Sequence, residues 1–360
     1  MTKMTMRQRM LAVCKGEPHD RVPFCQYEDL AGPNEEIWDL VGRENMGILH
    51  RLHLARIETP NCRFETEDFV SGEHRALRTT LHTPKGDLVE EKVFEEAYNS
   101  AAKAKHFIKE RADYEIFLAY LNDMTLVEDT QPYLDYAEKL GEQGLVLVRL
   151  PGTPYQRMWR DWVSLEDLVY HMADHADLLE EVMGLLGKRL REEMEIVRVV
   201  SERMPLPLVR FADNLTAPAI GLPNFRKYCV PFYKEMAEML AGKNIPVFSH
   251  TDGDLKGLWD EMGRCGLNGL ESFTPTPTGD TSVQDALRLW PDMIMLLNFP
   301  SSVHIDPPET VRRHADEILS VLGPTGKLQI QISENVPSWA WPKSIPRIVE
   351  AIEDFGQPGG

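Results

Sequence analysis

Residues 206–254, LPLVRFADNLTAPAIGLPNFRKYCVPFYKEMAEMLAGKNIPVFSHTDGD, hold two short apolar runs with a helical segment between them. The first run, LPLVRFAD (206–213), stops at Asp213, and the second, IPVFSH (245–250), stops at His250. Strand, helix, strand is the unit of a parallel sheet, because parallel neighbours need a crossover connection.

The alternation continues on both sides. GLVLVRL (144–150), GLNGLES (266–272), MIMLLN (293–298) and KLQIQIS (327–333) are further runs, and stretches such as 175–204 place apolar residues at three- and four-residue spacing. Val22–Glu28 adds a seventh strand candidate, and an eighth can be hidden in a reading of one sequence. The expected fold class is α/β: a (β/α)8 TIM barrel with an N-terminal helical and β-hairpin elaboration. Residues 75–94 alternate apolar and polar on both sides of Pro84-Lys85-Gly86-Asp87, which predicts the hairpin, with Gly86 suited to a positive φ. No linker, repeat or low-complexity segment divides the chain, so residues 1–360 read as a single domain.

Composition narrows the function. Fifty-seven acidic against 39 basic side chains give a net charge of -18, which disfavours nucleic acid or an anionic membrane as partner. The five cysteines form no C-x-x-C pair, the N-terminus has no signal-peptide pattern, and no apolar run approaches the roughly 20 residues that cross a bilayer. A cytoplasmic protein with reduced thiols is the expectation. P-loop, G-x-G-x-x-G and G-x-S-x-G patterns are absent, so nucleotide-dependent chemistry and a serine hydrolase have no support.

Polar residues stand at or just beyond the ends of the runs: Glu28, Arg149, Asp213, His250, Glu271, Asn298 and Glu334. In a parallel barrel those ends converge on one face and line one pocket, while the alternative is that strand ends are polar because they meet water. His250 with Glu271 and Glu334 supplies the ligand types of a divalent metal site, and a structural histidine capped by an acid is the plainer reading. Asp252 is either a further ligand or a turn former beside Gly253, and Asp254 is placed to cap a following helix. Tyr27, Tyr155, Trp159, Phe273, Phe299, Trp339 and Trp341 are wall or core candidates. The loop SENVPSWAWP (333–342) carries two tryptophans that need cover.

Several stretches together resemble the uroporphyrinogen decarboxylase superfamily. They are MRQRMLAVCKGEPHDRVPF with its Pro18-His19-Asp20-Arg21-Val22-Pro23 turn, the block FADNLTAPAIGLPNFRKYCVPFYKEMAEMLAGKNIPVFSHTDGDL, and LQIQISENVPSWAWPKSIPRIVEAIEDFG. The resemblance spans nearly the whole chain and implies a (β/α)8 barrel. Tetrapyrrole decarboxylases of that superfamily bind substrate carboxylates through arginines after the first strand. Here that place reads CQYEDLAGPNEE, which would repel acetate side chains. The hairpin around TPKGD is similar to the insertion of the methyltransferase branch, whose members move methyl groups between small molecules and cobalamin, often carried on a corrinoid protein. In that branch the members acting on methylthiols hold zinc through a His-x-Cys pair and a later cysteine. This chain matches the histidine at His250 and has Asp252 and Glu334 at the cysteine places.

The resemblance therefore implies a cobalamin-dependent methyltransferase with a divalent metal, zinc first, on His250, Asp252 and Glu334. Carboxylates in place of thiolates suit a harder, oxygen-centred donor such as an aromatic methyl ether. His250, Asp213 and Glu271 are the catalytic candidates. Tyr27, Glu28, Tyr155, Trp159, Asn298 and Trp339 are the substrate-binding candidates. The cobalamin is free or on a partner corrinoid protein, and oligomeric state stays open. The alternative reading is a metal-independent decarboxylase or lyase acting through Asp213 and His250, and a barrel that binds without turnover is a third.

Overall fold

In the computed structural model of the chain, which describes residues 3–95 and 100–356, eight parallel strands close into a barrel. They are β1 (Phe24–Tyr27), β2 (Gly47–Leu52), β3 (Gly144–Leu150), β4 (Val209–Phe211), β5 (Val247–His250), β6 (Gly269–Phe273), β7 (Ile294–Asn298) and β8 (Leu328–Ile332), with β8 pairing back to β1. The expected TIM barrel is present. Seven strands overlap the runs read from the sequence, and the hidden eighth is β2, GILHRL, whose polar second half masks it.

Alternation along each strand fills the barrel in layers. Leu145 and Ile294 lie low, and Leu147, Leu208, Phe248 and Leu296 lie above them in one buried cluster. Gly269 on β6 is required by this filling, because a Cβ there would stand 2.2 Å from the Phe248 ring. The helix α1 (Met6–Lys15) closes the floor through Met6, Met10 and Val13, which belong to the same cluster. Thr5 and Gln8 form a capping box that fixes where α1 begins, and Gly16 ends it at φ 65°. The Pro18–Pro23 turn is pinned to α1 by Asp20, which accepts from Nε and Nη2 of the buried Arg9 at 2.6 and 3.0 Å.

The expected hairpin is real and larger than read. His74–Thr83 and Gly86–Glu95 pair across Pro84-Lys85, with Thr83 opposite Gly86 and Gly86 at φ 132°. Arg63–Ser71 and Ser100–Lys105 flank them to make a four-stranded antiparallel sheet. Arg63–Ser71 escapes a hydrophobicity reading because it is exposed over most of its length. Leu81 and Leu88 bind this sheet into the buried cluster around the barrel. All five cysteines are free and buried. Among the described residues, no helix is long and apolar enough to cross a membrane.

Candidate functional site

The top inward layer of the barrel is polar. His250 and Glu271 are register partners on β5 and β6, so their side chains enter the barrel side by side. Nδ1 of His250 lies 2.7 Å from Oε2 of Glu271. The same Oε2 accepts from Nε of Arg210 at 2.7 Å, while Oε1 accepts from Nε2 of Gln331 at 2.7 Å and from the Tyr27 hydroxyl. Burial by itself would raise the Glu271 carboxyl, yet Arg210, His250 and Tyr27 hold it far below the ordinary range. Glu271 is thus a fully satisfied carboxylate that anchors its neighbours.

Local backbone makes this possible. Ser272, next along β6, sits at φ 64°, and the β6–β7 register slips between Glu271 and Phe273. A non-glycine residue there costs on the order of 1 kcal/mol or more. The bulge lets Glu271 face the barrel interior while Phe273, two residues on, turns to the outer core beside Trp290.

His250 is held from its other side as well. Nε2 faces Asp252 at 3.3 Å. Burial and Arg210 push the imidazole pKa down, but Glu271 and Asp252 outweigh them and raise it above its ordinary value. Burial would raise Asp252 too, and His250 holds it low. Glu334 lies in the same neighbourhood: burial raises it, Ser301 opposes, and the Asp252 charge adds to the rise. The outcome is an imidazole set between two carboxylates that favour its charged form, with a third acid close by whose carboxyl is raised.

Four guanidinium groups complete the mouth. Arg51, Arg149 and Arg210 come from β2, β3 and β4, and Arg160 from a π-helical turn at Met158–Trp162. Arg149 and Arg210 are register partners. Arg210 is neutralised by Glu271, and Arg160 by two 2.8 Å bonds to Asp161. Arg51 lies 3.7 Å over the Tyr27 ring. Burial, with Arg210, Arg160 and Arg51 adding, pushes Arg149 down to about 10.

The sequence candidates divide. His250, Glu271, Tyr27, Asp252 and Glu334 meet at the mouth. Asn298 is buried beside them, donating to Thr274 Oγ1 at 3.1 Å and accepting from the Ser333 N–H at 2.9 Å, so it ties strand ends together. Glu28 faces away and pairs with His50 at 3.1 Å. Asp213 is fully buried in the wall, accepting from Thr153 N–H at 2.7 Å and from the Tyr233 hydroxyl. Tyr155 is core: its hydroxyl donates to the Ala219 carbonyl at 3.0 Å. Trp159 is half-buried on Gln156. In the tryptophan loop Trp341 is buried, whereas Trp339 stays 61% exposed. Asp254 does not cap the segment that follows it: its carbonyl accepts from the Ala217 N–H at 2.6 Å, while Asp280 accepts from Leu255 and Lys256 N–H at 2.8 and 3.1 Å. Arg51 and Arg210 were not anticipated, although Arg210 shares the inward parity of Leu208 within the run 206–213.

Among the described residues, no group of three or more His, Cys, Asp or Glu side chains is arranged to hold a metal ion. Nδ1 of His250 is committed to Glu271, Nε2 faces Asp252, and no ion pair joins Glu334 to His250. As arranged, this donor set does not fit a divalent ion.

No protein-family model and no curated protein matches the chain. Among solved structures, a methyltransferase from Methanosarcina mazei is similar over 98% of this chain and 99% of its own, with a TM-score of 0.57 and 15% identity. That likeness is one of fold. A protein described as an L-alanine-DL-glutamate epimerase from Burkholderia xenovorans covers 79% of this chain and 88% of its own at 12% identity, with a TM-score of 0.22. An enolase family member from Agrobacterium tumefaciens covers 76% and 90% at 10% identity, with a TM-score of 0.19. Neither of these two carries an argument. The class that fold and site define is a (β/α)8 barrel with an acid–histidine cluster and an arginine group at its C-terminal mouth.

Proposed function

We propose that the protein is a methyltransferase that takes a methyl group from a small oxygen-linked donor, an aromatic methyl ether in the first instance, and passes it to cob(I)alamin. The acceptor is free cobalamin or cobalamin carried on a corrinoid protein. One observation supports this reading above the others: His250 is held between Glu271 at 2.7 Å and Asp252 at 3.3 Å at the end of a barrel strand, and the two carboxylates favour its protonated form. Methyl ethers are poor donors because the departing oxygen leaves as an anion, and a positioned acid removes that obstacle. Full-length likeness of fold to a methyltransferase supports the same class.

Cob(I)alamin, bound as the methyl acceptor, would supply the electron pair of the new carbon–cobalt bond. The carbon–oxygen bond breaks with its pair on oxygen, and the oxygen takes the proton delivered from His250, leaving a free hydroxyl product. Glu271 stabilises the imidazolium before transfer, and Arg210 and Gln331 keep Glu271 from turning. Tyr27 donates to Glu271, so its ring stands fixed as one wall. The acid role is assigned to His250 in place of the zinc expected from the sequence, because its ring nitrogens face Glu271 and Asp252. The lyase alternative needs Asp213 at the mouth, and Asp213 is enclosed in the wall.

The test is anaerobic formation of methylcobalamin from a panel of methoxylated aromatics, with and without added zinc. Turnover of at least one donor, lost in His250→Gln, is the expected result. No methylcobalamin above that variant's background, across the panel, contradicts the reading.

A further inference from the structure

We infer that Arg149 and Arg51 form an anion subsite that takes a carboxylate group of the substrate. The inference deepens the methyltransferase reading and rests on it for the identity of the donor, which becomes a methoxylated aromatic carboxylate.

Charge accounting at the mouth carries it. Of the four guanidinium groups, Arg210 and Arg160 have their own carboxylates, Glu271 and Asp161. Among the described residues, Arg149 and Arg51 have none. Nε of Arg149 is buried without a hydrogen-bond partner, and its register partner is another arginine. Arg51 stacks on the face of the Tyr27 ring at 3.7 Å, and among the described residues no carboxylate pairs with it. A desolvated, unpaired guanidinium beside further cations is unfavourable in the protein alone, and a bound anion relieves it. The planar fork of arginine matches a carboxylate with two parallel bonds.

Position sets the chemistry of the ligand. Arg51 and Arg149 lie on β2 and β3, while His250, Asp252 and Glu334 lie at the ends of β5 and β8. A substrate bridging the mouth has its anionic end on the arginines and its ether oxygen at His250. The acids on the His250 side favour a single negative charge at the far end over a phosphate dianion.

Thermal shift and calorimetric titration of the full chain test this without turnover. The probes are 4-methoxybenzoate, neutral methoxybenzene and inorganic phosphate, each against wild type, Arg149→Met and Arg51→Met. The expected result is at least tenfold tighter binding of 4-methoxybenzoate than of methoxybenzene, and loss of that preference in both variants. Unliganded Arg149→Met is expected to melt at or above the wild-type temperature, which a structural arginine would not allow. Equal affinity for the charged and neutral probes, phosphate binding tighter than 4-methoxybenzoate, no binding by 4-methoxybenzoate, or an unchanged preference in whichever variant folds would each overturn the subsite. The two proposals fail separately. Binding of 4-methoxybenzoate without methyl transfer sinks the methyltransferase reading alone, and equal methyl transfer from both ethers sinks the subsite alone.

Discussion

His250 and Glu271 enter the barrel as register partners on adjacent strands, with Nδ1 of the one 2.7 Å from Oε2 of the other. Neither residue is held by this contact alone. Arg210, Gln331 and Tyr27 converge on the same carboxylate, so the charge of Glu271 organises the top layer.

Glu271→Gln keeps the shape of that side chain and removes its charge. Arg210 and His250 then remain buried without their counter-ion, which costs about 3–5 kcal/mol when one partner of a buried pair is removed. Denaturant unfolding should show a loss of that order. A loss below about 1 kcal/mol would mean that the carboxylate is not the hub described here.

Gly269→Ala addresses the layer beneath. A methyl group at that position falls 2.2 Å from the Phe248 ring, so Phe248 must leave its rotamer or the strands must part. Overpacking of this kind costs about 1–3 kcal/mol. Thermal unfolding checks it, and an unchanged melting temperature contradicts the packing.

The floor makes a parallel prediction. Arg9 is buried and bonded through two nitrogens to Asp20, which also accepts from the Met4 N–H at 3.0 Å. Burial would raise Asp20, and Arg9 with the Met4 N–H holds it low. Asp20→Asn leaves a buried guanidinium short of charge and should destabilise by about 3 kcal/mol. In the double variant Arg9→Met/Asp20→Asn the loss should be smaller than in Asp20→Asn, and a double-mutant cycle measures the difference.

His304 gives a pH dependence with a fixed sign. It is buried, its Nδ1 pairs with Ser344 Oγ at 2.7 Å, and burial pushes its imidazole down to about 3. An unfolded histidine titrates near 6.5. Below about 6.5 the unfolded chain therefore binds a proton that the folded chain refuses, and stability falls by about 1.4 kcal/mol per pH unit until about pH 3. Above pH 7 the residue contributes no slope. His304→Gln should lose less stability than wild type between pH 7 and pH 5 in urea unfolding. Equal losses would contradict the burial argument.

The barrel is legible in the sequence because apolar runs and crossovers alternate, but the site is legible only in part. Choosing polar residues at or just beyond the ends of the runs found His250 and Glu271, which share the inward parity of Phe248 and Gly269. The same rule selected Asp213, which shares the outward parity of Phe211, and so ended in the wall instead of the mouth. Arg210 lay unread within a run, and Arg51 lay on β2, whose polar finish hid the strand itself. Period-two parity, applied run by run, separates mouth from wall better than strand-end polarity does. No local pattern marks the bulge at Ser272 or the capping of residues 255–256 by Asp280, since both depend on contacts distant in sequence.

The central claim is that His250 acts as the acid in methyl transfer from an ether to cob(I)alamin. The most direct measurement is anaerobic turnover of 4-methoxybenzoate with cob(I)alamin, following methylcobalamin and the free phenol together in wild type and His250→Gln. Wild type is expected to give equal amounts of the two products, and the variant to lose 100-fold or more, about the scale on which general acid catalysis contributes. Methyl transfer by His250→Gln within a few-fold of wild type, in a variant that folds, would contradict it.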